Sequence, residues 1–144
     1  MQVHEVLKSK GRRLIAIGPD ATVGEAIRTL VEHNIGSLPI LDGQRLVGIF
    51  TERDVLRGVD RDCESFGRSL VGEVMTRSPV VCTLDDDVQH VMGKMSEHQV
   101  GQLPVLDGDR RVVGVVSVGD VIKVLYEQLA HENRHLLEYL YGPG

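Results

Sequence analysis

Tryptophan is absent from this chain, and three tyrosines and two phenylalanines are its only aromatics. So few rings leave few stacking platforms for single-stranded nucleic acid. Basic residues are also in short supply: 16 Lys and Arg stand against 21 Asp and Glu, a formal net charge of −5. No block of five cations occurs, so the concentrated positive face that nucleic acid or an anionic membrane demands is not expected. No apolar run approaches the roughly 18 residues of a membrane span. The opening MQVHEVLKSKGRR lacks the apolar stretch of a secretion signal. Two cysteines, Cys63 and Cys82, are too few for a disulfide framework or a metal knuckle. Cys82, inside the run VVC, reads as a small buried hydrophobe. These absences point to a reducing cytoplasm, with neither nucleic acid nor membrane as partner.

What is present is an ordinary globular composition, 42% apolar in 144 residues, enough for one compact unit or two small halves. It is written twice. The segment from Ile15 to Arg57 aligns with that from Val80 to Lys123 at an offset of 65, rising to 66 past one residue inserted at Arg110 or its neighbour. About fifteen of some forty-three positions are identical, including Gly36/Gly101, Leu38/Leu103, Pro39/Pro104, Asp42/Asp107, Gly43/Gly108 and Gly48/Gly114. The lead-ins VHEVL from Val3 and VGEVM from Val71 also match. This is a tandem duplication.

Each copy predicts β-α-β-β-α. A short strand (Leu14 to Ile17; Val80 to Cys82) precedes an amphipathic helix carried by Val23, Ala26, Ile27, Leu30 and Val31, or by Val88, Val91, Met92 and Met95. Thr22 with Glu25 forms a capping box, and Asp85 to Asp87 suit the positive end of a helix dipole better than a metal. Met75, Met92 and Met95 read as core. Asp-Gly at 42–43 and 107–108 marks a hairpin in each copy. A second helix follows Thr51 or Ser117, the first one ending near Gly58. The expected division is 1–60, a connector at 61–70, 71–125, and a helical extension over 126–144.

The order of these pieces resembles a tandem pair of cystathionine β-synthase (CBS) domains, or Bateman module. GSLPILD and GQLPVLD, then LVGIFTERD and VVGVVSVGD, carry the resemblance. It implies an α/β fold of two repeats with pseudo-twofold symmetry plus a C-terminal helix. It also implies a stand-alone, non-enzymatic sensor that binds AMP, ADP, ATP or NAD(H), requires no cofactor, forms a homodimer and signals to a separate effector protein. Asp54 and Asp120 would accept from ribose hydroxyls, with Thr51 and Ser117 against ribose or phosphate. Ile15, Ile35 and Gly36 would hold adenine in one cleft; Val80, Val100 and Gly101 would do so in the other. Independently of the family, a carboxylate can bridge a cis-diol, and a helix N-terminus beside it favours phosphate.

The copies differ where phosphate would lie. Arg53 sits inside the first motif and Gly119 inside the second, so the first cleft is expected to favour phosphate. His33 and His98 precede the two hairpins and are candidates for phosphate contact, or simply helix-terminal imidazoles at the negative dipole end. T-x-x-D before an apolar run also has the plain reading of a helix cap; both roles are compatible. Alternative functions are a protein-interaction dimer with degenerate clefts and, remotely, a zinc hydrolase, because His131-Glu132-Asn133-Arg134-His135 spells H-E-x-x-H. That segment lies in a polar tail with only Glu138 as a third donor, so neither a metal site nor a catalytic residue is assigned. The tail carries Leu125, Leu129, Leu136 and Leu140, an apolar stripe suited to packing on a second subunit.

Overall fold

The computed structural model describes residues 1–11 and 13–142. It contains helices α1 (Val3–Lys10), α2 (Val23–His33), α3 (Glu52–Asp62), α4 (Val71–Val74), α5 (Val88–His98) and α6 (Val118–Tyr141). Its strands are β1 (Ser37–Asp42), β2 (Arg45–Thr51), β3 (Thr76–Arg77), β4 (Cys82–Thr83), β5 (Gln102–Leu106) and β6 (Val112–Ser117). They form two three-stranded sheets, ordered β1-β2-β3 and β4-β5-β6. The mixed α/β repeat architecture and the C-terminal helix are as the sequence implies, although residues 143–144 of the tail lie outside the described residues.

The hairpins show why the repeated Asp-Gly matters. Asp42 pairs with Arg45 across Gly43 and Gln44, and Gly43 takes φ 64°, the left-handed region that a glycine enters without cost. In the second hairpin Arg110, at or beside the insertion, carries the positive φ of 62° instead. Each β1- or β5-type strand has a bulge at the same place, Ile40/Leu41 and Val105/Leu106. The strands expected ahead of the first helices are shorter than read. Ile17 makes one parallel bridge to Ile40, and β4 begins only at Cys82.

Two cores form. Phe50, Leu38, Ile40, Val23 and Ala26 centre the first; Leu103, Val105, Val116, Val91 and Val121 centre the second. Val31, read as part of the buried stripe of α2, is 73% exposed because Val23, Ala26 and Leu30 already fill the face towards β1.

The lead-in segments cross between the two repeats. Val3 and Val6 of α1 belong to the second core, and Val71 of α4 belongs to the first. The backbone bonds repeat the exchange: Val3 N–H donates to Asp86 and His4 N–H to Leu84, while Val71 N–H donates to Ala21 and Gly72 N–H to Pro19. Gly114 receives Leu7 of α1 in the space a side chain would fill, and Gly48 receives Met75 in the same way. Each repeat is therefore completed by the lead-in of the other, and this pseudo-symmetric swap joins the halves.

One further difference concerns α3. It passes through Gly58 and ends at Asp62, and a Cβ at Gly58 would overlap the ring of Phe66. The glycine is there for close approach, not for termination. Phe66, in the expected connector, is a buried member of the first core.

Candidate functional site

Both T/S-x-x-D segments are helix caps. The Thr51 N–H donates to Asp54 Oδ2 at 2.9 Å, and the Asp54 N–H donates back to Thr51 Oγ1 at 3.3 Å. Ser117 and Asp120 repeat this at 2.9 and 3.1 Å. The first helical N–H in each case is taken by a glycine carbonyl, Glu52 by Gly36 and Val118 by Gly101. The helix ends thus retain fewer free donors than an isolated N-terminus offers.

Beyond the cap the two carboxylates diverge. Asp54 is 6% exposed and closed over by Thr76 of β3, whose hydroxyl donates to Oδ1 at 3.1 Å. Thr51 Oγ1 adds a further bond to Oδ2 at 3.2 Å. Asp120 opens instead into a cavity of about 730 Å³. Lys10, at the last turn of α1, donates from Nζ to Asp120 Oδ2 at 2.8 Å and to the Val115 carbonyl at 3.0 Å. Among the described residues, the Lys10 ammonium and the Ser117 N–H both donate to Oδ2 and leave Asp120 Oδ1 unclaimed. Burial works to raise the Asp120 pKa, but the Lys10 ammonium and the Ser117 backbone and hydroxyl outweigh it and hold the carboxyl below its usual value.

Local sequence explains how Lys10 arrives there. Glu5 caps the Gln2 N–H at the start of α1, and Lys8 and Lys10 favour the negative end of its dipole. Gly11, at φ 65°, then ends the helix by donating to the Leu7 carbonyl at 3.2 Å.

The cavity draws on both repeats. Ile15, His33, Ile35 and Gly36 come from the first, Ser117 and Asp120 from the second. Thus the set expected to hold adenine in one cleft stands with the second motif, not with Thr51 and Asp54. Arg53 lies outside; its guanidinium donates to the Gln99 carbonyl at 3.1 Å. Val80 and Val100 pack against the second core, and Gly101 faces Val118. His98 ends α5 next to Gln99, a left-handed cap at φ 54°, as His33 precedes Asn34 at φ 51°. Only His33 of this pair lines the cavity.

The cavity also contains residues that the repeat did not suggest: Lys10, Arg13, Gln102 and Lys123. Lys123 stands one helical turn after Asp120 and was within reach of a helical projection. Lys10 is 110 positions from Asp120 and had no local signature. Gln102 stands where the first copy has Ser37, a mismatch visible in the alignment.

His131 and His135 lie on the exposed half of α6 with ring centroids 4.4 Å apart. Among the described residues no group of three or more His, Cys, Asp or Glu comes together to hold a metal ion. No described helix is long and apolar enough to cross a membrane.

A model of the CBS domain matches residues 5–61 and again 71–127. The chain belongs to the CBS-domain family. Among curated proteins it is 30% identical, over 97% of its length and 72% of the relative's, to the mitochondrial CBS domain-containing protein CBSX3 of Arabidopsis thaliana. It is 32% identical to inosine-5'-monophosphate dehydrogenase of Methanocaldococcus jannaschii but spans only 27% of that protein. Among solved structures, the CBS-domain protein ATU1752 of Agrobacterium tumefaciens superposes with a TM-score of 0.81 at 33% identity, covering 86% of this chain and 98% of that one. The CBS domain pair of protein MJ0100, solved with 5'-methylthioadenosine and S-adenosyl-L-methionine, superposes at 0.79 with 31% identity over 89% of this chain and 98% of that chain.

Proposed function

We propose that this CBS pair is a regulatory module that binds a 5'-phosphorylated adenosine beside Asp120 and signals occupancy to a separate effector protein. One observation carries the reading. Within the cavity, Lys10 and Ser117 both hold Asp120 by Oδ2, which leaves Oδ1 for the hydroxyls of a ribose. Ile15 and Ile35 supply apolar surface for a base in the same cavity. The ligands of the MJ0100 pair share the adenosine half of this proposal. The other half differs. Three cations, Lys10, Arg13 and Lys123, line the cavity against two carboxylates, Asp120 and Glu127, which favours a phosphate over the positive sulfonium of S-adenosylmethionine. AMP, ADP, ATP and NAD(H) all carry the required adenosine phosphate.

Because the cavity joins groups from both repeats, a ligand touching Ile15 and Asp120 together biases how the halves pack, and this bias is the signal. The reading assigns no catalytic step. It places the module in a reducing compartment such as the cytoplasm, consistent with two free cysteines. A homodimer suits α6, where Tyr126, Leu129, Leu136 and Leu140 are 55–71% exposed and would be covered by a second copy.

Melting temperatures with AMP, ADP, ATP, NAD+, NADH and S-adenosylmethionine test the ligand class. A ligand at 100 times its dissociation constant stabilises by about 2.7 kcal/mol, a rise of roughly 5–10 °C at this size. The phosphorylated adenosines are expected to give that rise and S-adenosylmethionine a smaller one. The reverse order, or no shift with any of them, contradicts the proposal.

A further inference from the structure

We propose that α6 joins two copies of this chain as a parallel, two-stranded coiled coil. This rests on the homodimer reading and fixes the face, orientation and register that the dimer uses. Ile122, Tyr126, Leu129, Asn133, Leu136 and Leu140 follow one another at steps of four, three, four, three and four residues. That is the heptad spacing of a coiled-coil seam, with Tyr126, Asn133 and Leu140 at a and Ile122, Leu129 and Leu136 at d. The helix that carries them is unbroken from Val118 to Tyr141. The five apolar members are 54–71% exposed, and Asn133 is exposed with them. Leu125 turns instead onto the second core. Asp120, Val124 and Glu127, which line the cavity, lie on another side of the helix, so seam and cavity do not compete.

The polar member of the seam selects a second copy as the occupant. An amide among leucines is costly against an apolar partner. Across the twofold axis of a parallel dimer Asn133 meets its own counterpart, and the two amides satisfy each other. Antiparallel helices pair a with d, and every d position here is Ile or Leu, which would leave the amide without a partner. The flanks agree. Glu132, at g, faces the apolar e position held by Leu137, so no like charges are brought together. Each apolar seam side chain, with Leu137 and Tyr139 beside it, has on the order of 100 Å² to bury, a total close to the ~800 Å² per partner of a stable complex. Short isolated helices are marginal because nucleation is costly. Here Val121 and Val124 already fix the first turns of α6 in the second core.

The test is sedimentation equilibrium of the full chain with Leu129→Asp and Leu136→Asp, both at positions exposed in the single copy. The wild type should be a dimer. Each aspartate should weaken it at least about a hundredfold, because symmetry removes two buried leucines at once, while amide-exchange protection of β5 and β6 is kept. Orientation is read separately with Leu136→Cys in a Cys63→Ser background. Under mild oxidation a parallel dimer should form a disulfide between the two copies, since facing d positions alone come within disulfide reach. Asn133→Val should associate at least as tightly but spread into trimers or tetramers; a variant that stays one clean dimer overturns the role given to Asn133. A wild-type dimer that both aspartates leave intact, or one that forms no disulfide at 136, overturns this inference alone. A wild type that stays monomeric at high micromolar concentration overturns the homodimer reading and this inference with it.

Discussion

Asp54 and Asp120 occupy the same place in two copies of one helix start, yet their remaining lone pairs face different surroundings. Thr76 closes over Asp54, and Lys10 meets Asp120 at the edge of a cavity. The motif itself was readable in the sequence because a cap is a local event, decided within four residues. Its environment was not, since Thr76 and Lys10 come from segments 22 and 110 positions away. A prediction follows for pH. The Asp120 carboxyl is depressed below its ordinary value, so the ionised form, and any ligand binding that needs it, persists as pH falls through the usual carboxylate range and is lost only below it. Lys10→Met removes the chief opposing influence and leaves burial opposed by Ser117 alone, so the acid midpoint of AMP binding should move to higher pH. Titrations between pH 3 and 7 read this directly, and an unmoved midpoint contradicts the role given to Lys10.

At the level of elements, strong local patterns were right and glycine was misjudged. Thr22 and Glu25 cap α2 reciprocally at 3.1 Å, as the spacing S/T-x-x-E requires. The acidic run before α5 is a helix start, with Asp87 accepting from the Gln89 N–H at 2.8 Å and Asp86 within 3.9 Å of Lys94. Cys82 is core, and burial pushes its thiol up to about 12. Gly58 looked like a terminator because glycine often is one. The feature that decides its role is the ring of Phe66, from a segment that its charged neighbours disguised as linker. Gly58→Ala would gain helix propensity on an open surface. Here the added methyl collides with that ring, so a loss of about 1–3 kcal/mol is expected by chemical denaturation. A stabilised variant would show that the Phe66 contact does not govern this position.

On the scale of the molecule, duplication was plain in the sequence, but the exchange of lead-ins was not. VHEVL and VGEVM are equally apolar, and either could have packed on its own repeat; nothing in their spacing tells near from far. The swap makes α1 a structural part of the second repeat and delivers Lys10 to Asp120. Val3→Asp, at 1% exposure in the second core, should therefore unfold β4-β5-β6 and weaken AMP binding together. Hydrogen exchange resolved along the chain checks this: protection should fall at Leu103 to Val105 before Leu38 to Ile40, and loss confined to the first sheet would contradict the exchange. The central claim is that one of the two equivalent carboxylates is the ribose acceptor. Calorimetric AMP binding to Asp120→Asn and Asp54→Asn tests it most directly. The account predicts a ten- to hundredfold loss for Asp120→Asn, of the order of one charge-assisted bond, and near wild-type affinity with a lower melting temperature for Asp54→Asn. Unchanged AMP affinity in Asp120→Asn would contradict it.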